Sequence, residues 1–203
     1  MSILNYIFQQ GKSNKPVLLL LHGTGGDENS LLALAEMIDP EASVLSVRGE
    51  ILENGMPRFF RRLAEGVFDM EDLAFRTKQL KEWLDEMAVN HQFDRSNVIA
   101  IGYSNGANIA ANLLFDYSDA LKGAILHHPM VPNRNATLPA QQTKVFMAAG
   151  VIDPICPQQE AIDLEALLTQ AGADVVLEWE TSGHQLTMSE VQKAKAWYEQ
   201  NFA

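Results

Sequence analysis

Ser104 stands in Gly102-Tyr103-Ser104-Asn105-Gly106, a G-x-S-x-G pentapeptide, and is the side chain best placed in this sequence for nucleophilic chemistry. With 13 glycines and 10 serines in 203 residues, random order would give about 0.04 such matches, so the pattern calls for a physical reason. A run of aliphatic residues, Val98 to Gly102, leads into it, and an apolar helical stretch begins near Gly106. A tight turn from strand to helix strains the serine backbone and lifts its hydroxyl above the sheet. Flanking glycines are needed because side chains there would strike neighbouring elements. A serine hydroxyl is a weak nucleophile at neutral pH, so it requires a histidine base, and the histidine requires a carboxylate to orient its ring.

Serine nucleophiles on such a turn have their partners in chain order, Asp or Glu and then His. Of the five histidines only His184 follows the last apolar segment, in the loop Ser182-Gly183-His184-Gln185. Asp153 follows another aliphatic run in Gly150-Val151-Ile152-Asp153-Pro154, whereas Asp163 and Glu165 fall on the next helix as solvated surface. Taken singly, Ser104 could cap a helix, Asp153 could serve a proline turn and His184 could be an ordinary loop residue. Order and placement together favour a triad of Ser104, Asp153 and His184.

Acyl transfer also creates an oxyanion, which prearranged backbone N–H groups stabilise by about 3 kcal/mol each. Leu21-His22-Gly23-Thr24-Gly25-Gly26 follows the first long aliphatic run and precedes a helix expected near Asp27. It fails as a phosphate-binding G-x-G-x-x-G loop because Glu28 takes the last position, and Asp27 with Glu28 would repel a pyrophosphate. The N–H groups of Thr24 and Asn105 are therefore the expected oxyanion donors.

These loops need a scaffold. Val17–Leu21, Ser43–Val47, Val98–Gly102, Gly123–Leu126, Lys144–Ala148 and Val175–Trp179 read as buried strands, being aliphatic runs bounded by breakers. Between them lie helical periodicities such as Leu73, Leu80, Trp83, Leu84 and Met87 on one face. The alternation predicts an α/β fold with a mostly parallel central sheet and helices on both faces. Pro157 opens a helix that Gly172 ends, and Thr187 with Glu190 forms a capping box for the last helix. Residues 49–70, rich in Phe and Arg and weakly periodic, read as a functional loop. No repeat or linker divides the chain, so residues 1–203 are expected to form one domain.

The totals exclude several roles. Fifteen basic against 26 acidic side chains give a net charge of −11, which repels phosphate backbones, so no nucleic-acid partner is expected. The longest apolar run is too short for a membrane span, and no leader pattern opens the chain, so a cytoplasmic location is the default expectation. Cys156 is the only cysteine, which rules out an intramolecular disulfide, and a buried structural thiol is expected. His127 and His128 end one strand and are expected at the cleft rim. No carboxylate stands near them at ligand spacing, so neither a metal nor a cofactor is expected. A homodimer is admitted but not required.

Leu21-His22-Gly23, the Gly102 to Gly106 pentapeptide, Gly150 to Pro157 and Gly183-His184 together resemble the small carboxylesterase and phospholipase family of α/β hydrolases, which includes acyl-protein thioesterases. The resemblance covers nearly the whole chain. It implies the α/β-hydrolase fold, with no separate cap domain in so short a chain, and it supports Asp153. Asn105 stands where the family typically has glutamine, and Thr24-Gly25-Gly26 replaces Leu-Gly-Asp. Backbone donors survive such changes, while thioester or lysophospholipid preference does not carry over. The expected activity is a serine carboxylesterase acting on small or medium esters. The alternatives are a thioesterase, lysophospholipase or acyltransferase, or a non-catalytic receptor that keeps the cleft. The expected pocket comprises His22, Gly23, Arg58, Phe59 and Phe60, with an apolar wall and an arginine for an anionic group, against the plain alternative of core phenylalanines and solvated arginines.

Overall fold

The structure, a computed structural model, describes residues 4–202, so residues 1–3 and 203 of the expected domain lie outside it. Its frame is a seven-stranded sheet in the order β1-β3-β2-β8-β9-β10-β11: β1 (Tyr6–Gln9), β3 (Ser43–Val47), β2 (Val17–Leu21), β8 (Val98–Tyr103), β9 (Gly123–His127), β10 (Lys144–Gly150) and β11 (Asp174–Glu180). All neighbours are parallel except β1, which runs antiparallel along β3. All five residues of β2 are buried, as a central parallel strand covered on both faces demands.

The six strands expected from aliphatic runs are present, but several run further. β8 and β9 reach Tyr103 and His127, which pair with each other, and β10 reaches Gly150 opposite Glu180. Register with a neighbour, not apolar character, sets where these strands end. The edge strand β1 has no sequence signal because Tyr-Ile-Phe-Gln is short and half exposed.

Helices cover both faces. α1 (Leu32–Ile38) and α5 (Met188–Phe202) pack on the side of Leu18, Leu20 and Ile101. α2 (Met70–His91), α3 (Asn105–Asp116) and α4 (Gln158–Gln170) pack on the side of Leu19, Leu21 and Ala100. Leu73, Leu80, Trp83, Leu84 and Met87 are the buried face of α2, as their spacing requires. The helix expected near Asp27 starts only at Leu32. Asp27 holds the Asn29 N–H and the Ser30 hydroxyl at 2.9 and 3.1 Å, a local turn that competes with the helix. The capping box is formed: Glu190 N–H donates to Thr187 Oγ1 at 3.2 Å, and Thr187 N–H donates to the Glu190 carboxylate.

Residues 49–70 are more regular than expected. β4 (Ile51–Glu53) pairs with β5 (Met56–Arg58), and β6 (Arg62–Ala64) with β7 (Val67–Phe68). Asn54 and Gly55 join the first pair with φ of 53° and 81°, the left-handed turn that an Asn-Gly pair favours. Among the described residues no helix is long and apolar enough to cross a membrane.

The parallel order reverses at β2, which has β3 on one side and β8 on the other, so the loops after β2 and β8 diverge at the sheet's carboxyl edge. There α3 crosses the end of β2 at Gly106, where a Cβ would lie 1.9 Å from Leu21 O. Gly106→Ala should therefore lower unfolding stability by about 3 kcal/mol or more, because backbone on both sides must move. Urea unfolding of the variant measures this, and an unchanged midpoint would refute the crossing as described.

Candidate active site

Ser104 sits between β8 and α3 with φ 52° and ψ −114°, a conformation side chains rarely adopt. The crowding that holds it there is explicit at Gly102, where a Cβ would fall 2.6 Å from Ala107 Cα. The Ser104 N–H is anchored to His127 O at 2.9 Å. Its Oγ lies 2.8 Å from His184 Nε2, and His184 Nδ1 lies 2.8 Å from Asp153 Oδ2. An ionised carboxylate only accepts, so Nδ1 carries the proton and Nε2 is free to take one from Ser104.

Asp153 and His184 come from the loops after β10 and β11, which the backbone stitches together. Val151 N–H donates to Glu180 O at 2.9 Å and Ile152 N–H to Ser182 O at 3.3 Å. Gly150 permits this approach, since a Cβ there would lie 2.3 Å from Gly183 O. Asp153 Oδ1 accepts the N–H groups of Ile155 and Cys156 at 2.8 and 2.9 Å. Burial pushes the Asp153 carboxyl upward, but the Cys156 N–H, His184 and the Ile155 N–H outweigh it and leave the group below its ordinary value. Tyr103, unremarked in the sequence as the variable residue before the serine, donates its hydroxyl to His184 O at 2.8 Å and stacks obliquely on the ring at 5.5 Å. Burial, then the Glu190 and Asp153 charges, push its phenol up to about 12, so it remains a donor.

Thr24 and Asn105 flank Ser104 at the same cavity. Asn105 opens α3, and first-turn N–H groups have no partner within the helix. One short segment ties both residues down. Pro57 O accepts the Gly25 N–H at 2.9 Å, Arg58 Nη1 donates to Thr24 Oγ1 at 2.7 Å, and Phe59 N–H donates to Asn105 Oδ1 at 2.7 Å. The Phe/Arg segment thus clamps the loops that hold the two candidate donors.

The cavity encloses about 290 Å³ and includes Ser104, His184, Thr24 and Arg58. Its apolar lining is Phe68, Met130 and Ile155, and Arg62 and Glu65 also line it. His22, Gly23, Phe59 and Phe60, expected in the pocket, are not in its lining. Phe59 and Phe60 are buried in the core, where aromatic area is removed from water most fully. His22 braces the loop instead: Nδ1 donates to Gly23 O at 2.7 Å while Nε2 accepts the Gly49 N–H at 3.0 Å. Burial holds its pKa below the ordinary value, as that neutral tautomer needs. Arg58 lines the cavity, yet its guanidinium is 3.3 Å from Glu53 and bonded to Phe60 O and Thr24, so it serves the loop more than an anion. Cys156 is a buried thiol whose pKa burial raises, with Sγ 3.4 Å from His128 O.

His127 and His128 are not at the cleft rim. Both side chains are fully buried behind the triad, because β9 continues to His127 and His128 turns back at φ 52°. The expectation that no carboxylate accompanies them also fails, since the partners come from distant loops that spacing along the chain does not reveal. His127 Nδ1 lies 3.0 Å from Glu190 Oε2, and His128 Nδ1 lies 3.1 Å from Asp153 Oδ2. His128, Asp153 and His184 offer ligand atoms within 4.8 Å of one another, but Oδ2 of Asp153 already receives both Nδ1–H groups, which is the geometry of a proton-bearing network.

A family profile described as phospholipase/carboxylesterase matches residues 4–201. The Bacillus subtilis (strain 168) protein MhqD is 55% identical over 198 residues, covering 97% of this chain and 98% of that one. The crystal structure of the Bacillus cereus carboxylesterase superposes with a TM-score of 0.98 at 62% identity, covering 99% of this chain and 96% of that chain. The carboxylesterase of Mesorhizobium loti gives a TM-score of 0.88 at 27% identity over 97% and 94% of the two chains.

Glu190 makes the site sensitive to acid. Burial would raise its carboxyl, but His127, His128 and the Thr187 N–H outweigh this and hold it at about 2, against 4.5 ordinarily. A carboxyl depressed on folding contributes stability that is complete above about pH 4.5 and is lost as pH falls toward 2. Glu190→Gln, which retains a cap acceptor, should be less stable than wild type by about 3 kcal/mol at pH 7, with the gap closing toward pH 3. Urea unfolding at the two pH values checks it, and a gap independent of pH would remove ionisation as the cause.

Proposed function

Because the chain belongs to the phospholipase/carboxylesterase family of α/β hydrolases and is an esterase, we propose that it cleaves small or medium carboxylic esters through an acyl-enzyme on Ser104. The observation that carries this reading is the unbroken relay of Ser104 Oγ, His184 and Asp153, with both contacts at 2.8 Å, opening on a cavity. His184 Nε2 takes the hydroxyl proton as Ser104 attacks the ester carbonyl. Asp153 holds the ring and stabilises the imidazolium that forms. The oxyanion is received by the N–H groups of Thr24 and Asn105. His184 then protonates the leaving alcohol, and water hydrolyses the acyl-enzyme by the same proton transfers in reverse.

The cavity sets the substrate class. At about 290 Å³ it is at the small end of ligand sites, and Phe68, Met130 and Ile155 give an acyl or alkyl group apolar surface beside the nucleophile. The reaction as drawn uses only protein groups and water.

A fluorophosphonate should label Ser104, and Ser104→Ala should lower kcat by about a million-fold. Folded wild-type protein that is neither labelled nor active on esters of graded acyl length would refute the proposal. Arg58→Met should lower kcat on the order of tenfold to a hundredfold with KM little changed, since it frees Thr24 without removing a binding contact. A change confined to KM would instead make Arg58 a substrate ligand.

A further inference from the structure

Acyl transfer uses one histidine and one buried carboxylate, yet two more buried histidines and a second buried carboxylate lie directly behind them. The atoms form a continuous series. His184 Nδ1 and His128 Nδ1 both meet Asp153 Oδ2, at 2.8 and 3.1 Å, and His128 Nε2 lies 3.3 Å from Glu190 Oε2, which His127 Nδ1 meets at 3.0 Å. The side chains of Asp153, His128, Glu190 and His127 have no exposure to solvent.

The protons can be assigned from this geometry. Asp153 and Glu190 are ionised and only accept, so His128 Nδ1 must donate to Asp153. A neutral His128 would then set the lone pair of Nε2 beside a Glu190 carboxylate oxygen 3.3 Å away, a repulsive contact between two buried groups. With a proton on Nε2 the same contact is an ion pair, although not aligned as a hydrogen bond. We propose that His128 is a buried imidazolium clamped between Asp153 and Glu190, a positioning residue that fixes the Asp153 carboxylate and tempers its charge toward His184. The inference rests on the acyl-transfer reading above.

Other groups around His128 support the assignment. Tyr103 and His184 face its ring at 6.0 and 5.3 Å, Cys156 bonds to its carbonyl, and His127 precedes it. No lysine or arginine is among these neighbours, and the two carboxylates are the groups in contact with the ring nitrogens. Burial lowers the pKa of His128, but Glu190 and then Asp153 outweigh it, and the net direction is upward. The backbone is committed to the same end. At φ 52° a β-strand would not continue; the His128 backbone N–H donates to Ala148 O at 2.7 Å, and the imidazole lies between the two acids.

The consequence is chemical. His184 must accept a proton and then release it. An Asp153 whose charge was uncompensated would hold the imidazolium too firmly and withdraw the base from use in mildly acidic solution. His128 shares the same Oδ2 and takes up part of that charge, which extends activity to lower pH.

Two measurements test this. In histidine-15N-labelled wild type, both ring nitrogens of His128 should stay protonated from pH 6 to 8, and in Glu190→Gln Nε2 should lose its proton within that range while Nδ1 keeps the one it donates to Asp153. A neutral His128 at pH 7 in the wild type overturns the proposal. In His128→Asn, which suits a left-handed backbone, kcat on a small ester should fall roughly tenfold with KM within about twofold, and the acidic limb of kcat/KM should move up by about half a unit or more. A folded variant whose pH profile superimposes on the wild type makes His128 a packing residue and also overturns it. If His128→Asn does not fold, the spectroscopic result decides. Wild-type protein with no ester turnover would sink the acyl-transfer reading and the positioning role with it, while the charge state of His128 would still be read directly.

Discussion

The approach of α3 to the end of β2 at Gly106 is the contact on which the site depends. A Cβ there would lie 1.9 Å from Leu21 O, so helix and strand can meet only through a glycine. That closeness leaves Ser104 no relaxed conformation, and the strain at φ 52° puts its hydroxyl clear of the sheet. It also brings the loop after β2 beside the first turn of α3, so Thr24 and Asn105 face one space. The placement of Ser104 and of the candidate oxyanion donors therefore follows from one packing constraint.

The other half of the site comes from the far strands, where the governing term is electrostatic. Asp153 accepts two backbone N–H groups on Oδ1 and two imidazoles on Oδ2, so a group that burial alone would neutralise remains a carboxylate. Glu190 plays a double part. It closes the capping box of α5 through the Thr187 N–H and faces His127 and His128 with its other oxygen. Helix α5 is thus docked to the sheet by the same charge that backs the triad.

What the sequence reveals follows from how local each signal is. The aliphatic runs from Val17 and Val98, the helical face from Leu73 to Met87 and the capping box at Thr187 concern neighbours in sequence, and these elements are present. The pentapeptide around Ser104 and the loop around His184 are legible because a strand end fixes both. Less visible is whatever depends on pairing at a distance. Phe59 and Phe60 are core and Phe68 is wall, a distinction that composition cannot draw. His127 and His128 acquire Glu190 and Asp153 from elements 63 and 25 residues away. Asn54-Gly55 between Ile51 and Pro57 is a local hairpin signal within a segment whose composition is otherwise irregular.

That hairpin constrains where specificity can reside. Pro57, Arg58 and Phe59 bond the Gly25 N–H, the Thr24 hydroxyl and the Asn105 amide in succession, so substitutions among them disturb the loops that carry the two candidate oxyanion donors. Phe68, Met130 and Ile155 make no side-chain hydrogen bond, line the same cavity and belong to three separate segments. Changing the size of any one alters the space beside Ser104 while leaving the triad and the clamp in place. The contacts of Ser104, His184 and Asp153 are therefore held by backbone and buried charge, and any acyl selectivity of the proposed reaction would rest on three apolar side chains from separate segments.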